Sequence, residues 1–330
     1  MKKTMVKLAV LALFATFAPG PVSLRAQGSL TPPGAPAPTM KSLDQVEART
    51  AITNTSSIVT ISQPGSYYLT HSLAITNGDG IDITTNNVTL DLNGFTISST
   101  ALPASGNGIY LTAPLGSSDV TILNGHIQGG VTNNAGIFSG LGFACAITWN
   151  FSYVYPMNVS VSHISVSGCG AGTFGGGIQL PGANQGSAGY ATVVDSCSVR
   201  TVGGVGISAE TVTRCDTHEC LAQGIFSGTV SDSHGETVGT NSTVAGIQTT
   251  TANNCYGYSS GGGIGIASAT ANNCYGYSAG GKGILVTGTA TSCYGQSTTG
   301  AGLAAFIANV CHGSSVSGTP LIATYNVNSY

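Results

Sequence analysis

The stretch Gly265-Ile-Ala-Ser-Ala-Thr-Ala271-Asn-Asn-Cys274-Tyr-Gly-Tyr277 decides the fold, because its landmarks return on both sides at nearly constant spacing. Gly-Ile, once Gly-Leu, stands at Gly206, Gly224, Gly246, Gly265, Gly283 and Gly302, at intervals of 18, 22, 19, 18 and 19 residues. Five or six residues after each Ile or Leu comes a small apolar residue (Val212, Val230, Ala252, Ala271, Ala290, Ala308), and three further on Cys215, Ser233, Cys255, Cys274, Cys293 or Cys311. A period near 20 residues is one turn of a solenoid, in which no unit can bury its apolar face alone and neighbours must stack.

The pattern inside each turn predicts its shape. Val194-x-x-Cys197-x-Val199 and Val161-x-x-Ile164-x-Val166 place apolar residues at offsets of three and then two. These cannot all face inward on one flat strand, where side chains alternate with period two. A one-residue bend before the Cys position restores the parity. Each coil is then three short strands joined by turns, with equivalent positions stacked about 4.8 Å apart. The expected fold is an all-β, single-stranded parallel β-helix of about eleven coils and on the order of 50 Å long. Looser pairs at Gly80-Ile81, Gly108-Ile109, Gly136-Ile137 and Gly177-Ile178 carry the repeat upstream with longer turns. Residues 141–157 read as a loop inserted into one coil. Its Phe143, Trp149, Phe151, Tyr153 and Tyr155 suit either binding or packing of the loop onto the stack.

Composition bounds the rest. Only 6% of residues are charged while 48 are Gly, and Ser, Thr and Asn supply the polarity. Aperiodic, such a chain would be disordered; the regular spacing of Ile, Val and Cys predicts an ordered stack instead. Residues 1–26 carry Lys2, Lys3 and Lys7, an apolar run from Leu8 to Ala18 and a Pro-Gly-Pro before Leu24-Arg25-Ala26, the pattern of a secretory signal peptide. The run is too short to span a bilayer. A secreted or cell-envelope location, with no transmembrane segment, is therefore expected. Residues 27–40, with Pro32, Pro33, Pro36 and Pro38, read as a leader without fixed structure. Residues 41–70 are assigned as an N-terminal cap whose positions 41–52 form a short helix, 71–315 as the β-helix, and 316–330 as a C-terminal cap. Caps are expected because the ends of a solenoid present open strand edges, and with them a monomer. Without residues 1–26, five basic residues face twelve acidic ones, a net charge of −7. That balance argues against a nucleic-acid partner, since nothing neutralises phosphates.

The segments Gly65-Ser-Tyr-Tyr-Leu69, Gly80-Ile-Asp-Ile83, Asn87-Val-Thr-Leu-Asp-Leu-Asn-Gly-Phe-Thr-Ile97 and Asp119-Val-Thr-Ile-Leu-Asn-Gly-His-Ile127 resemble the right-handed parallel β-helix repeat proteins of the pectin-lyase-like superfamily. The likeness extends to exported bacterial members that open with a Pro-Pro-Gly-Ala-Pro leader, here Pro32 to Pro36. The resemblance implies a right-handed coil. It implies little about activity, because the architecture hosts lyases, hydrolases, adhesins and inert scaffolds. The signatures of the superfamily's polygalacturonases (Asn-Thr-Asp, Asp-Asp, Gly-His-Gly) do not occur, and Asp79, Asp82 and Asp91 do not make the calcium cluster of a pectate lyase.

Of the nine cysteines, Cys197, Cys215, Cys255, Cys274, Cys293 and Cys311 share one repeat position and read as an interior ladder of small, soft side chains rather than as bridges. Cys145, Cys169 and Cys220 fall outside it, and a Cys145–Cys169 bridge would close the inserted loop. No Cys-x-x-Cys or His-x-x-x-His spacing suggests a metal, so no cofactor is expected.

Counting outward from the ladder gives two surface stripes. One residue after it lie Asp216, His234, Tyr256, Tyr275 and Tyr294; three after it lie Arg200, His218, Glu236, Tyr258 and Tyr277. Stacking would place Arg200, His218 and Glu236 in one column, Asp216 and His234 in the next, and Arg214 over Asp232 beside them. Three uses fit this pattern. Opposite charges and rings can simply pair for solubility. Tyr256, Tyr258, Tyr275, Tyr277 and Tyr294 can hold a polysaccharide by ring stacking and hydrogen bonds. Arg200, Asp216, His218, His234 and Glu236 can supply acid and base groups for glycoside cleavage. The expectation is an exported β-helix with a surface binding or structural role toward extracellular or envelope polysaccharide. The alternatives are a polysaccharide lyase or glycoside hydrolase, and an adhesin or self-associating surface protein.

Overall fold

The computed structural model describes residues 48–330 except 153, 172–174 and 183–189. The expected signal peptide and leader, the first part of the expected cap helix and Tyr153 lie outside the described residues. The chain is a parallel β-helix: 27 strands join one sheet, and no helix occurs among the described residues.

Three columns of strands build it. In the first, twelve rungs stack in register, beginning with Val59–Ile61, Ile81–Ile83, Asn107–Leu111, Cys145–Trp149 and Gly176–Gln179 and continuing through the strands that open at Val205, Ile225, Ala245, Ile264, Ile284, Leu303 and Leu321. The second column stacks Val161, Val194, Val212, Val230, Ala252, Ala271, Ala290 and Ala308. The third runs from Leu73 through Ile97, Ile127, Val166 and Val199 to Thr217 and then to the glycines of the Tyr-Gly-Tyr strands. Those glycines face a core too narrow for a side chain. A Cβ on Gly276 would collide with the Gly283 carbonyl and the Ile284 side chain.

The bend that the parity of the repeat requires is present. Between the second and third columns Ser196, Arg214, Asp232, Asn254, Asn273, Ser292 and Val310 adopt left-handed backbone with φ of 49–52°. The ladder side chain that follows stitches this bend together. Cys215, Cys255 and Cys274 donate their thiols to the carbonyl two residues earlier at 3.1, 3.0 and 3.1 Å. Cys215 and Cys311 also accept the backbone N–H of the preceding coil's ladder residue at 3.5 Å, and Ser233 and Ser329 do the same at 3.1 and 2.9 Å. The position wants a small side chain with one polar hydrogen and one lone pair, which is why Cys and Ser alternate there. All nine cysteines are buried and unbridged.

Four expectations are corrected. The Cys145–Cys169 bridge does not form: both are free buried thiols, near enough for Cys145 to raise the Cys169 thiol, and each is a core side chain of its own strand, Cys145–Trp149 and Met157–Cys169. Residues 141–157 are not one inserted loop: Cys145–Trp149 is a fully buried rung, with Ile147 paired to Ile109 and Ile178. The excursion is instead an antiparallel hairpin, Thr132–Asn134 with Ile137–Ser139, so Gly136-Ile137 is not a rung and Ile137 is 69% exposed. At the N-terminal side, Thr50–Ile52 is a strand paired with Tyr67–Leu69 where the end of a helix was expected, and the residues assigned to the cap from 50 onward already belong to the first coils. At the other end Leu321–Val327 is a further rung on Leu303–Asn309 rather than a separate cap.

Candidate functional site

The third column presents its alternate residues to solvent, so each Tyr-Gly-Tyr strand turns two side chains outward and the rungs arrange them as a grid two residues wide. Register pairs Asp216 with His234, His234 with Tyr256, Tyr256 with Tyr275, and Tyr275 with Tyr294. Beside them run Arg200 and His218, then Glu236, Tyr258, Tyr277 and Gln296.

At its upper end the grid is a checkerboard of acid and imidazole. His218 Nε2 lies 3.0 Å from Asp216 Oδ2 and its Nδ1 2.9 Å from Glu236 Oε2, while His234 Nδ1 lies 2.7 Å from Asp216 Oδ1. The two imidazoles meet edge to face at 4.7 Å. Arg200, expected to join this cluster, is the strand neighbour of His218 but is exposed and makes no ion pair with any described residue. Arg214 shares the bend position with Asp232, yet its guanidinium reaches back to Asp195 of the preceding coil at 2.6 Å. Burial raises the Asp195 carboxyl, and the hydrogen bonds from Thr213 and Arg214 overcome it and hold it below the usual range.

Below the checkerboard the rings stack on one another. His234 lies on Tyr256 at 4.8 Å and 15°, Tyr256–Tyr275 and Tyr275–Tyr294 follow at 5.1 and 5.2 Å, and Tyr258 lies on Tyr277 at 5.1 Å and 12°. Ring faces inside such a column are covered by their neighbours, so the sugar-stacking surface expected from the sequence is largely occupied by the protein itself. What remains open is the row of ring edges and hydroxyls. Tyr275 gives its hydroxyl to Gln296 at 2.8 Å and Tyr277 shares one with Thr298 at 3.2 Å. No described residue hydrogen-bonds the hydroxyls of Tyr256, Tyr258 or Tyr294, and Tyr256 and Tyr294 are 37% and 36% exposed. Burial, and then the neighbouring tyrosines, raise the phenols of Tyr256, Tyr258 and Tyr275 above their ordinary range.

A shallow groove of about 830 Å³ runs along this row. One wall is His234, Tyr256, Tyr275 and Tyr294; the other is the bend column of Arg214, Asp232, Asn254, Asn273 and Ser292, with the thiol ladder between them. Asn273 donates to Asn254 at 2.8 Å and Asn254 to Asp232 at 3.0 Å, an amide chain parallel to the tyrosines. A second hollow of about 560 Å³ shares Arg214 and Asp216 with the first and continues to His126 and His163. The bend-column wall was not singled out from the sequence, although Asn-Asn-Cys at 253–255 and 272–274 marks it. The aromatics near residue 150 take the packing role: Trp149 is buried between Phe151 and Tyr155, at 4.6 and 4.9 Å, and Tyr155 lies 4.9 Å from Tyr190.

No family model, curated protein or solved structure matches this chain. No described helix is long and apolar enough to cross a membrane.

Proposed function

We propose that this chain is an exported parallel β-helix of the pectin-lyase-like type that holds an extended, neutral polysaccharide in the groove beside its tyrosine column. One observation carries the reading: the hydroxyls of Tyr256 and Tyr294 beside the groove, and of Tyr258 in the adjacent column, have no hydrogen-bond partner among the described residues, and the groove's opposite wall carries a row of amides. Groups repeat along it at roughly 4.8 Å, one per coil, so the surface suits a polymer of repeating polar units better than a compact ligand. The recognition is by hydrogen bonds to ring edges, since neighbouring rings cover the faces. Neutral glycans are favoured over polyuronates because the groove's one cation, Arg214, is already paired with Asp195 while Asp216 and Asp232 line the walls.

The test is a pull-down on neutral β-glucan and chitin against polygalacturonate, with a Tyr256→Phe, Tyr258→Phe, Tyr294→Phe triple variant. Phenylalanine keeps the stack and removes only the hydroxyls. At about 0.5–1.5 kcal/mol for each of the three hydrogen bonds, affinity should fall on the order of 10–1,000-fold. Unchanged binding by the triple variant, or preference for polygalacturonate, refutes the reading.

A further inference from the structure

The checkerboard above the groove has a proton deficit. Its three close contacts each set a ring nitrogen against a carboxylate oxygen. Two neutral imidazoles carry one N–H each, so all three contacts are satisfied only when one further positive charge joins them, either a proton that makes His218 an imidazolium or a metal ion. No lysine or arginine supplies that charge: among the described residues Arg214 is paired with Asp195, and Arg200 makes no ion pair.

We propose that the missing charge is a divalent transition-metal ion, held by His218 Nε2, His234 Nδ1 and the Asp216 carboxylate. One donor atom from each of these three residues lies within 4.8 Å of the others. Tetrahedral zinc, with bonds of about 2.0–2.1 Å, sets its donors roughly 3.3 Å apart. The nitrogen–oxygen separations of 3.0 and 2.7 Å lie close to that value, so the ion needs only a slight spreading of the side chains. Glu236 completes the arrangement. By accepting a hydrogen bond from His218 Nδ1–H at 2.9 Å it favours the tautomer whose Nε2 lone pair faces Asp216, and it is the outer-shell carboxylate that metal-bound histidines ordinarily have. His234 Nε2 is buried without a hydrogen-bond partner among the described residues, so this second ring lacks the outer-shell acceptor that Glu236 gives His218.

Two imidazoles and one carboxylate select a borderline ion such as Zn²⁺ over Ca²⁺ or Mg²⁺, which prefer all-oxygen sets. The Asp216 side chain is 50% exposed and faces the groove, so an ion has a way in and retains open coordination positions on the solvent side. The ligands stand on paired strands of adjacent coils, with Asp216 opposite His234, and the register shifts between Thr217 and Cys220, where His218 lies. Local motif spacing does not reveal such a site, because the ladder rather than the helix turn brings its residues together.

The site is tested without any glycan and stands apart from the groove reading. Purified full-length protein, stripped with chelator, is titrated with Zn²⁺ by calorimetry and with Co²⁺ by absorbance. One ion per chain is expected, with Co²⁺ bands free of thiolate charge transfer. The Asp216→Asn, His234→Ala double variant should lose saturable binding, while His312→Ala, elsewhere on the same surface, should retain it. Glu236→Gln should keep the one-ion stoichiometry and weaken affinity by about 10–100-fold. Far-UV dichroism confirms that each variant is folded. Absence of saturable binding, binding unchanged in the double variant, or a Co²⁺–thiolate spectrum that places the ion on the cysteines overturns the proposal.

Discussion

Val310 is the position where the bend column departs from its own chemistry. Six of the seven bends from Ser196 to Val310 carry Ser, Arg, Asp or Asn; the seventh puts a β-branched side chain at φ 52°. Left-handed backbone costs an ordinary L-residue about 1–2 kcal/mol, and asparagine tolerates it best after glycine. Val310 is 58% exposed, so its replacement forfeits less than half of the ~1.5 kcal/mol that full burial of a valine contributes. Val310→Asn should therefore stabilise by roughly 0.5–1 kcal/mol. The reverse exchange, Asn273→Val, takes on the backbone cost and also loses the 2.8 Å bond to Asn254, for a destabilisation of about 1.5–2.5 kcal/mol. Because a repeat array need not unfold in one step, urea midpoints by far-UV dichroism are best paired with hydrogen exchange on strands 303–309 and 312–315, which flank the bend. Opposite signs for the two exchanges are required. A destabilising Val310→Asn, or a neutral Asn273→Val, would mean that the bend residues do not hold the backbone that links the second and third columns.

Other outcomes follow from buried groups. Asp82 Oδ1 is buried without a partner between Ile81 and Ile83, and burial first, then Asp79, push its carboxyl up to about 6. A folded value above the unfolded one means that protonation favours the fold: stability should fall as pH rises from about 4 to about 6 and stay lower above. Asp82→Asn should remove that slope in pH-dependent urea unfolding and gain on the order of 1 kcal/mol at neutral pH, discounted for partial exposure; a slope that persists in the variant would sink the assignment. Burial pushes the thiols of Cys145 and Cys169 up to about 11 and 12, and every ladder thiol is enclosed. Ellman's reagent at pH 8 should label none of the nine cysteines in the folded chain and all nine in guanidinium without reductant; early labelling, or fewer than nine on unfolding, contradicts the ladder.

Much of this was legible in the sequence because a solenoid writes its contacts at a fixed period. The spacing of Ile266, Ala271 and Cys274 gave the columns, and the parity of Val194, Cys197 and Val199 demanded a bend that sits at Ser196. Counting from the ladder also brought Asp216 beside His234 and His218 beside Glu236. What failed did so where local pattern and stacking part company. Gly136-Ile137 carries the signature yet lies in a hairpin, while Ala146-Ile147 lacks the glycine and is a rung. Long side chains were equally ambiguous: Arg214 can reach up or down a column, and it reaches Asp195. Nor does sequence say that stacked rings cover one another's faces, which changes the tyrosine column from a stacking platform into a row of hydroxyls.

The scarcity of charge has the same origin. Equivalent residues of adjacent coils stand about 4.8 Å apart, and at that separation two like charges at a protein surface repel by a few kcal/mol. A repeating charged position would accumulate that repulsion at every rung, so outward columns must be neutral or alternate in kind. The neutral solution fills most of this surface with Ser, Thr, Asn and Tyr and leaves 6% of residues charged. The alternating solution is used between residues 195 and 236: Asp195 with Arg214, Asp216 with His234, His218 with Glu236. In the first pair the cation is permanent and the column is balanced. In the checkerboard imidazole stands where arginine would have sufficed for balance, and imidazole is the side chain that can exchange its proton for a metal. Replacing His218 by arginine should therefore preserve the fold and the ion pair to Glu236 while abolishing Zn²⁺ uptake, a separation of structural from ligand roles that neither an alanine nor an asparagine variant provides.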